Sequence, residues 1–218
     1  KIKEGSWEVT GGMWVEADCN LVSGESLVRQ FLYGQRFVKK EFNLDWNILW
    51  LPDVFGYSWA LPQIIKKSGM QYFMTTKISW SQFNRPEYDT FKWRGIDGTE
   101  VLTHFLTTPE FNNDKDFYTY NGLLNPKSVK GSWDNYQQKE INDELLLAYG
   151  WGDGGGGPTR KMIETGKKMQ QIPGLPEIEF GSAEDYFKRL AARVKDNKDL
   201  PVWDGELYLE YHRGTYTS

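Results

Sequence analysis

The chain combines stretches whose apolar residues recur at helical intervals with short, nearly continuous apolar runs. In the first such stretch the apolar positions are Leu27, Phe31, Leu32 and Val38. This type of spacing predicts helices over 25–42, 59–68, 160–171 and 183–194. Ser23 and Ser182 precede the first and the last of these helices as candidate N-caps, and Gly69 is placed to close the second.

The apolar runs between the helices predict strands, which cover 7–15, 46–51, 71–76, 100–106 and 144–149. Strands that alternate with helices are typical of an α/β fold with a mainly parallel sheet. No dinucleotide-binding glycine fingerprint opens the chain. The order therefore fits part of a β/α barrel better than half of a dinucleotide-binding fold.

Composition and charge narrow the class of protein. The chain has 218 residues, of which 39% are hydrophobic and 26% charged, so it is long enough to bury the core of a globular domain. The net charge of -4 argues against a nucleic-acid partner, which would need clustered Lys and Arg. No apolar stretch approaches the roughly 20 residues of a membrane-spanning helix. The single Cys19 excludes an internal disulfide and fits a reducing compartment.

Aromatic residues are dense, with 10 Trp, 12 Tyr and 12 Phe. Aromatic rings stack on the C–H faces of sugars, and the polar atoms of Trp and Tyr reach sugar hydroxyls. Large hydrophobic cores use the same rings. Composition therefore leaves a sugar site and an aromatic core both open.

Two acidic residues follow predicted strands, Asp53 after Trp-Leu-Pro and Asp153 after Tyr-Gly-Trp-Gly. In parallel α/β folds the loops after the strands carry the site. Glycoside cleavage needs a pair of carboxylates, one to attack the anomeric carbon and one to protonate the leaving oxygen. An Asp at such a position is also a common helix cap or turn residue.

Four glycines follow Asp153, at 154–157. Such a run loses much conformational entropy when it is ordered. Directly after a predicted strand, it indicates that the backbone approaches a partner closely. The alternative is a flexible linker. The run is not a phosphate-binding loop, because the Gly-Lys-Ser/Thr ending is absent.

Polar and aromatic residues follow other predicted strands as well. Lys77, Trp80 and Asn84 come after the strand over 71–76. The segment after the first predicted strand holds a further polar set: Glu16, Asp18, Asn20, Glu25 and Arg29. This set lines a pocket or begins a helix, and the repeated pattern favours one shared site. The two histidines, His104 and His212, lie too far apart in sequence to indicate a metal site, and His104 is expected to be packed within a strand.

Six ordered blocks of the sequence resemble those of glycoside hydrolase family 38 α-mannosidases, and the resemblance is greatest to the cytosolic, vacuolar and bacterial branch. The blocks read GGMWVEADCNLVSGESLVRQ, LPDVFGYSWALPQI, TKISWSQFN, FKWRGIDGTEV, YGWGDGGGGPT and ELYLEYHRGTYTS, and they run from Gly11 to Ser218. The resemblance implies a retaining hydrolase that releases terminal α-linked mannose from oligosaccharides through a covalent glycosyl-enzyme. It also implies a divalent metal, with zinc as the expected ion.

The resemblance assigns roles to single residues. Asp53 is implied to be both the catalytic nucleophile and a metal ligand, and Asp153 the general acid/base. Phe55 is implied to pack near the sugar or the metal, and Lys77 to contact the substrate. The residues implied to line the pocket are Trp80, Asn84 and His212.

The sequence also departs from the family. The family's other metal ligands come from an upstream His-x-Asp pair and a downstream His-containing block, and neither His104 nor His212 matches them. The chain begins at Lys1 and ends at Ser218 without a closing element. We therefore expect residues 1–218 to be a fragment of the catalytic α/β domain, a distorted seven-stranded β/α barrel. Its first strand and the downstream helical and β-sandwich domains would be missing, and the fragment alone is expected to bind metal poorly and to hydrolyse nothing.

Two other functions stay open. A non-catalytic carbohydrate-binding domain would use the aromatic residues without cleavage, and it would bind mannose even without Asp53 and Asp153. A metal-dependent polysaccharide deacetylase also uses an incomplete barrel, but it needs histidine ligands near the metal-binding Asp. The expected partner is an α-mannoside oligosaccharide, and a homo-oligomer of the full-length protein is left open.

Overall fold

A computed structural model of the chain describes residues 1–110 and 117–210. Its helices are α1 (Gly24–Phe42), α2 (Leu61–Lys67), α3 (Pro126–Asn135), α4 (Arg160–Met169) and α5 (Ala183–Val194). Its strands are β1 (Ile48–Trp50), β2 (Tyr72–Thr75), β3 (Thr90–Arg94), β4 (Glu100–Phe105) and β5 (Val202–Asp204). One turn of 3-10 helix, Lys77–Trp80, follows β2.

In the described residues the strands form one five-stranded sheet with the order β1-β2-β4-β3-β5. The pairs β1/β2, β2/β4 and β3/β5 are parallel, and β3/β4 is antiparallel. The prediction of an α/β fold with a mainly parallel sheet is confirmed. The seven-stranded barrel stays a prediction.

The sheet is covered on both faces. Phe73 of β2 packs with Phe31 of α1 and Ile65 of α2 on one face. The next residue, Met74, points to the opposite face and packs with Phe187 of α5. Because successive side chains of a strand alternate between faces, two apolar residues in a row need two cores.

The helix predictions are confirmed to within a few residues, and α5 has the predicted bounds. Ser23 caps α1 by accepting a hydrogen bond from the N–H of Ser26 at 3.2 Å. Ser182 caps α5 by accepting from the N–H of Asp185 at 3.1 Å. A side-chain oxygen at the cap satisfies a main-chain donor that the helix itself leaves unpaired, which is why these boundaries can be predicted locally.

Two strand predictions are wrong. The segment 7–15 is not a strand, because Gly11 and Gly12 take positive φ angles of 147° and 101° and turn the chain past β1. One main-chain hydrogen bond, from Trp50 N–H to Gly11 O at 2.8 Å, ties this segment to β1. The segment 144–149 is also not a strand, and its isolated bridge joins Tyr149 to Gly122.

Two strands of the described residues, β3 and β5, lay outside the predictions. β3 pairs with β4 across a tight turn in which Gly95 N–H donates to Thr99 O at 2.8 Å and Gly98 takes a φ of 82°. Gly98 follows Asp97, and an Asp-Gly pair between strands is a hairpin signal.

Candidate active site

The site forms at the edge of the sheet where β1, β2 and β4 end. These strands run parallel, so the loops that follow them meet at one edge. Asp53 lies in the loop after β1, and Lys77 lies in the 3-10 helix after β2. The chain after β4 leads to Tyr120.

Asp53 has a partner for each of its main polar groups. Its Oδ1 lies 2.7 Å from Nζ of Lys77, and its Oδ2 accepts a hydrogen bond of 3.3 Å from the hydroxyl of Tyr120. Its main-chain N–H donates to Oε1 of Glu16 at 2.7 Å. Two partners therefore hold the carboxylate, and a third holds the main chain of the same residue.

Lys77 is buried, with 7% of its side chain exposed. Its ammonium lies 4.3 Å from the centre of the Trp80 ring and 5.1 Å from the centre of the Phe55 ring. Aromatic faces attract a cation, and the carboxylate of Asp53 offsets the cost of burying the charge. The structure thus brings together four of the predicted site residues: Asp53, Phe55, Lys77 and Trp80.

Asp153 reaches the same place from the glycine-rich loop. Its Oδ1 accepts a hydrogen bond of 3.1 Å from Tyr120. Its φ is +48°, a left-handed conformation that Asp adopts more readily than most residues. Main-chain bonds of 2.9 and 2.7 Å between Trp151 and Gly157 close the loop around it. Backbone strain of this kind is concentrated at functional sites.

The glycine run is a tight loop, not an open linker. Gly154, Gly156 and Gly157 take φ angles of +82°, +96° and +80°, which other residues rarely adopt. Just before the run, a Cβ at Gly152 would lie 1.9 Å from Oδ1 of Asn121. The glycines therefore let the chain turn back within a few residues and seat Asp153 beside Tyr120.

Tyr120 joins the two acids, and sequence reasoning missed it. Burial raises the pKa of Tyr120 above its ordinary value, and the charges of Asp53 and Asp153 raise it further. The phenol therefore stays protonated at neutral pH and is available as a donor. No spacing signal marks it in the sequence, because it lies in an irregular stretch between β4 and α3.

Glu16, from the polar set after the first predicted strand, also lies beside Asp53, and its contact with that residue was not predicted. Burial raises the pKa of Glu16 above its ordinary value, and the hydrogen bond that it accepts from Asp53 N–H lowers it in part. The charges of Asp53 and Asp153 also raise it, and that of Lys77 lowers it. Glu25, from the same polar set, instead pairs with Arg29 at 2.8 Å on the exposed side of α1.

The remaining predicted pocket residues are placed differently. Asn84 lies against Glu210: its main-chain N–H donates to Oε1, and its Nδ2 lies 3.4 Å from Oε2. His212 lies outside the described residues.

The described residues do not fit a complete metal site. Within residues 1–110 and 117–210 there is no group of three or more His, Cys, Asp or Glu that could hold a metal ion. His104 is packed, as expected: its Nδ1 lies 2.9 Å from Thr90 Oγ1 and its Nε2 3.0 Å from the Tyr186 hydroxyl. Burial lowers the pKa of His104 to about 3, so the ring is neutral. Asp53 is the single expected ligand, and any metal would need further ligands from elsewhere.

The arrangement offers two carboxylates that face one hydroxyl, with a buried ammonium beside one of them. Paired carboxylates of this kind are the groups that glycoside cleavage uses. No helix in the described part of the chain is long and apolar enough to cross a membrane.

Comparison with known proteins gives the same family throughout. Residues 1–206 match the sequence model of the glycosyl hydrolases family 38 N-terminal domain. Alpha-mannosidase G of Dictyostelium discoideum is 47% identical over all of this chain and 19% of its own length. The alpha-mannosidase of Saccharomyces cerevisiae is 40% identical over all of this chain and 20% of its own length. Human alpha-mannosidase 2C1 is 41% identical over 98% of this chain and 19% of its own length.

The chain thus spans about a fifth of the length of the curated relatives it matches. Its fold is similar to the crystal structure of an alpha-mannosidase from Enterococcus faecalis V583, with a TM-score of 0.63 and 20% sequence identity. That likeness covers 90% of this chain and 22% of the other. The chain belongs to glycosyl hydrolase family 38, and residues 1–206 match the N-terminal domain of that family.

Proposed function

We propose that the full-length protein containing this chain is a retaining α-mannosidase that releases terminal α-linked mannose from oligosaccharides. Family membership and relatives named alpha-mannosidases at 40–47% identity support the reaction class. The observation that carries the proposal is the shared contact of Asp53 and Asp153 with the hydroxyl of Tyr120.

Retention of configuration is proposed from the family resemblance. Retaining glycosidases keep their two carboxyl groups about 5–5.5 Å apart. The contacts of 3.3 and 3.1 Å that Asp53 and Asp153 make with one hydroxyl bring the two carboxylates close to each other, as such a mechanism needs.

Asp53 is the proposed nucleophile. Its carboxylate attacks the anomeric carbon, the bond to the leaving oxygen breaks, and a covalent glycosyl-enzyme forms. The Lys77 ammonium, 2.7 Å away, stabilises the negative charge before attack. Lys77 is proposed to donate to substrate hydroxyls as well, and Phe55 and Trp80, whose rings lie beside its ammonium, are proposed to line the pocket.

Asp153 is the proposed general acid and, in the second step, the general base. A phenol has one proton, so Tyr120 donates to one carboxylate at a time. When it donates to Asp53, its oxygen is free to accept from a protonated Asp153. That is the protonation state in which Asp153 can deliver a proton to the leaving oxygen.

A divalent metal, zinc by family resemblance, remains part of the proposal, with Asp53 as one ligand. When bound, such an ion would orient the sugar hydroxyls and act as a Lewis acid. Because Asp53 is the single expected ligand in the described residues, the 218-residue chain alone is proposed to bind metal poorly and to be inactive.

The remaining parts of the proposal concern the fold, the location and two further pocket residues. The seven-stranded barrel, the cytoplasmic location and the pocket roles of Asn84 and His212 all follow from the resemblance. The deacetylase alternative needed histidine ligands near Asp53, and His104 instead lies in a buried hydrogen-bond network with Thr90 and Tyr186.

The test is hydrolysis of an aryl α-mannoside by the full-length protein, with the anomer of the released mannose followed by NMR. The wild type is expected to release α-mannose first, and Asp53→Ala to be inactive. Asp45→Ala is the matched control, because Asp45 is exposed and pairs with Lys39. A folded wild type that releases no mannose, or that releases β-mannose first, would contradict the proposal.

A further inference from the structure

A short segment of the chain, residues 13–20, runs beside the loop that carries Asp53; we call it the strap. It contacts that loop at three points. Glu16 Oε1 accepts from Asp53 N–H at 2.7 Å, and Asn20 Nδ2 donates to Phe55 O at 3.2 Å. At its far end Ser58 N–H donates to Cys19 O at 3.2 Å. The strap therefore follows the catalytic loop along its length.

The strap is itself fixed to α1. The N–H of Trp14 donates to the carbonyl of Gln30 at 2.9 Å, and the N–H of Val15 donates to the Gln30 side chain at 3.0 Å. Gly34 permits this close packing, since a Cβ there would lie 2.7 Å from the carbonyl carbon of Met13. Glu16 follows directly, so its main chain starts from a fixed point on α1.

Asp53 needs an anchor at this position. β1 ends at Trp50, and Leu51 N–H still donates to Met74 O at 3.1 Å. Pro52 has no N–H, although its carbonyl accepts from Thr76 N–H at 3.3 Å. The next main-chain donor is that of Asp53, and its acceptor is Glu16. A carboxylate is a stronger acceptor for an N–H than a neutral oxygen, so this bond holds the start of the loop firmly.

We infer that Glu16 is a positioning residue of the active site, which places the Asp53 carboxylate by holding its main-chain N–H. Glu16 acts through Asp53 and is not itself assigned a chemical step. The inference rests on the proposed function, because it takes Asp53 to be the nucleophile. An attacking oxygen must lie within a fraction of an ångström of its productive position, so a lost anchor lowers the rate of the chemical step.

The kinetic test uses two variants of the full-length protein. Glu16→Gln keeps an acceptor oxygen at the same distance, and Glu16→Ala removes it. Glu16→Ala is expected to lower kcat by about 10- to 100-fold with KM within about twofold, as for an interaction that matters in the transition state. Glu16→Gln is expected to recover most of kcat. Glu25→Ala is the control, because Glu25 pairs with Arg29 on the exposed side of α1.

A second measurement does not depend on activity. In the amide NMR spectrum, the Asp53 N–H signal is expected to move upfield and to lose protection from hydrogen exchange in Glu16→Ala, and to change little in Glu16→Gln. If Glu16→Ala does not fold, the Glu16→Gln variant decides between the outcomes. A folded Glu16→Gln with wild-type kcat supports the inference, and one with kcat as low as an Asp53 variant overturns it.

Failure of the proposed function and failure of the positioning role give different results. A folded wild type without mannosidase activity contradicts the proposed function, whereas an Asp53 N–H signal that is indifferent to Glu16→Ala contradicts the positioning role. Full kcat in Glu16→Ala also overturns the inference.

Discussion

Asp53 and Asp153 reach the same hydroxyl group, that of Tyr120, from two loops that are distant in sequence. The Asp53 loop is held by β1, by Lys77 and by Glu16. The Asp153 loop is held by the main-chain bonds between Trp151 and Gly157. This shared contact makes the two acids a pair, and under the proposed function they divide the work of glycoside cleavage.

The acid role of Asp153 predicts a dependence on the leaving group. Asp153→Asn is the suitable change, because Asn tolerates the left-handed backbone at φ +48°. On a poor leaving group such as an alkyl mannoside, kcat/KM should fall by about 100-fold or more, since protonation assistance is then essential. On a dinitrophenyl mannoside the loss should be about 10-fold or less in the first step. Steady-state kinetics on both substrates checks this, and an equal loss on the two would count against the acid role.

Removing the Tyr120 hydroxyl should impair catalysis without unfolding the protein. Tyr120→Phe deletes a hydrogen bond to a charged group, and kcat/KM is expected to fall by about 10- to 100-fold. Tyr33→Phe is the control, because Tyr33 is an exposed residue of α1. The measurement is kcat/KM on an aryl α-mannoside together with a thermal melt. Unchanged kinetics in Tyr120→Phe would show that the shared contact has no catalytic role.

Glu8 is expected to stabilise α5 from the far end of the sequence. Its carboxylate accepts hydrogen bonds from the N–H groups of Ala183 and Glu184 at 2.7 and 2.8 Å. An anion at a helix N-terminus is favourable, so Glu8→Ala should lower the free energy of unfolding by about 1–2 kcal/mol. Glu4→Ala, at a more exposed position, should change it by less than about 0.5 kcal/mol. Urea denaturation measures both, and equal effects would contradict the capping role.

His104 is expected to make stability depend on pH in the acid range. Its pKa is about 3 in the folded protein because the ring is buried, against about 6.5 in the unfolded chain. The unfolded state therefore binds a proton first as the pH falls below 6.5, and stability declines from there downwards. By pH 5 this single group should cost about 2 kcal/mol. NMR titration of the ring checks the account, which predicts no protonation at pH 5; a midpoint near 6.5 would contradict it.

Local signals predicted four of the five helices of the described residues, and α3 was missed. Tertiary contacts decided the strands. The Ser182 cap and the apolar spacing of α5 act within a few residues, so the bounds of α5 could be predicted from sequence. The segment 7–15 has strand-like composition, but the backbone at Gly11 and Gly12 turns it away from β1. Pairing of strands depends on residues far away in sequence, which a local pattern does not contain.

In the candidate site, too, the sequence predicts some contacts and not others. The loops after parallel strands predict that Asp53 and Lys77 lie at one edge, and the structure brings them to 2.7 Å. Tyr120 and Glu16 lie in irregular segments, and their place beside Asp53 follows from how the strap and the chain after β4 pack. No sequence spacing marks such contacts.

The central claim is that Asp53 forms the covalent glycosyl-enzyme. A fluorinated α-mannosyl fluoride slows breakdown of that intermediate more than its formation, so the labelled residue can be identified by peptide mass spectrometry. The full-length protein should become labelled once per chain, on the peptide that contains Asp53, and Asp53→Ala should not be labelled. A label on any other carboxylate, or full turnover with no trapped intermediate, would contradict the account.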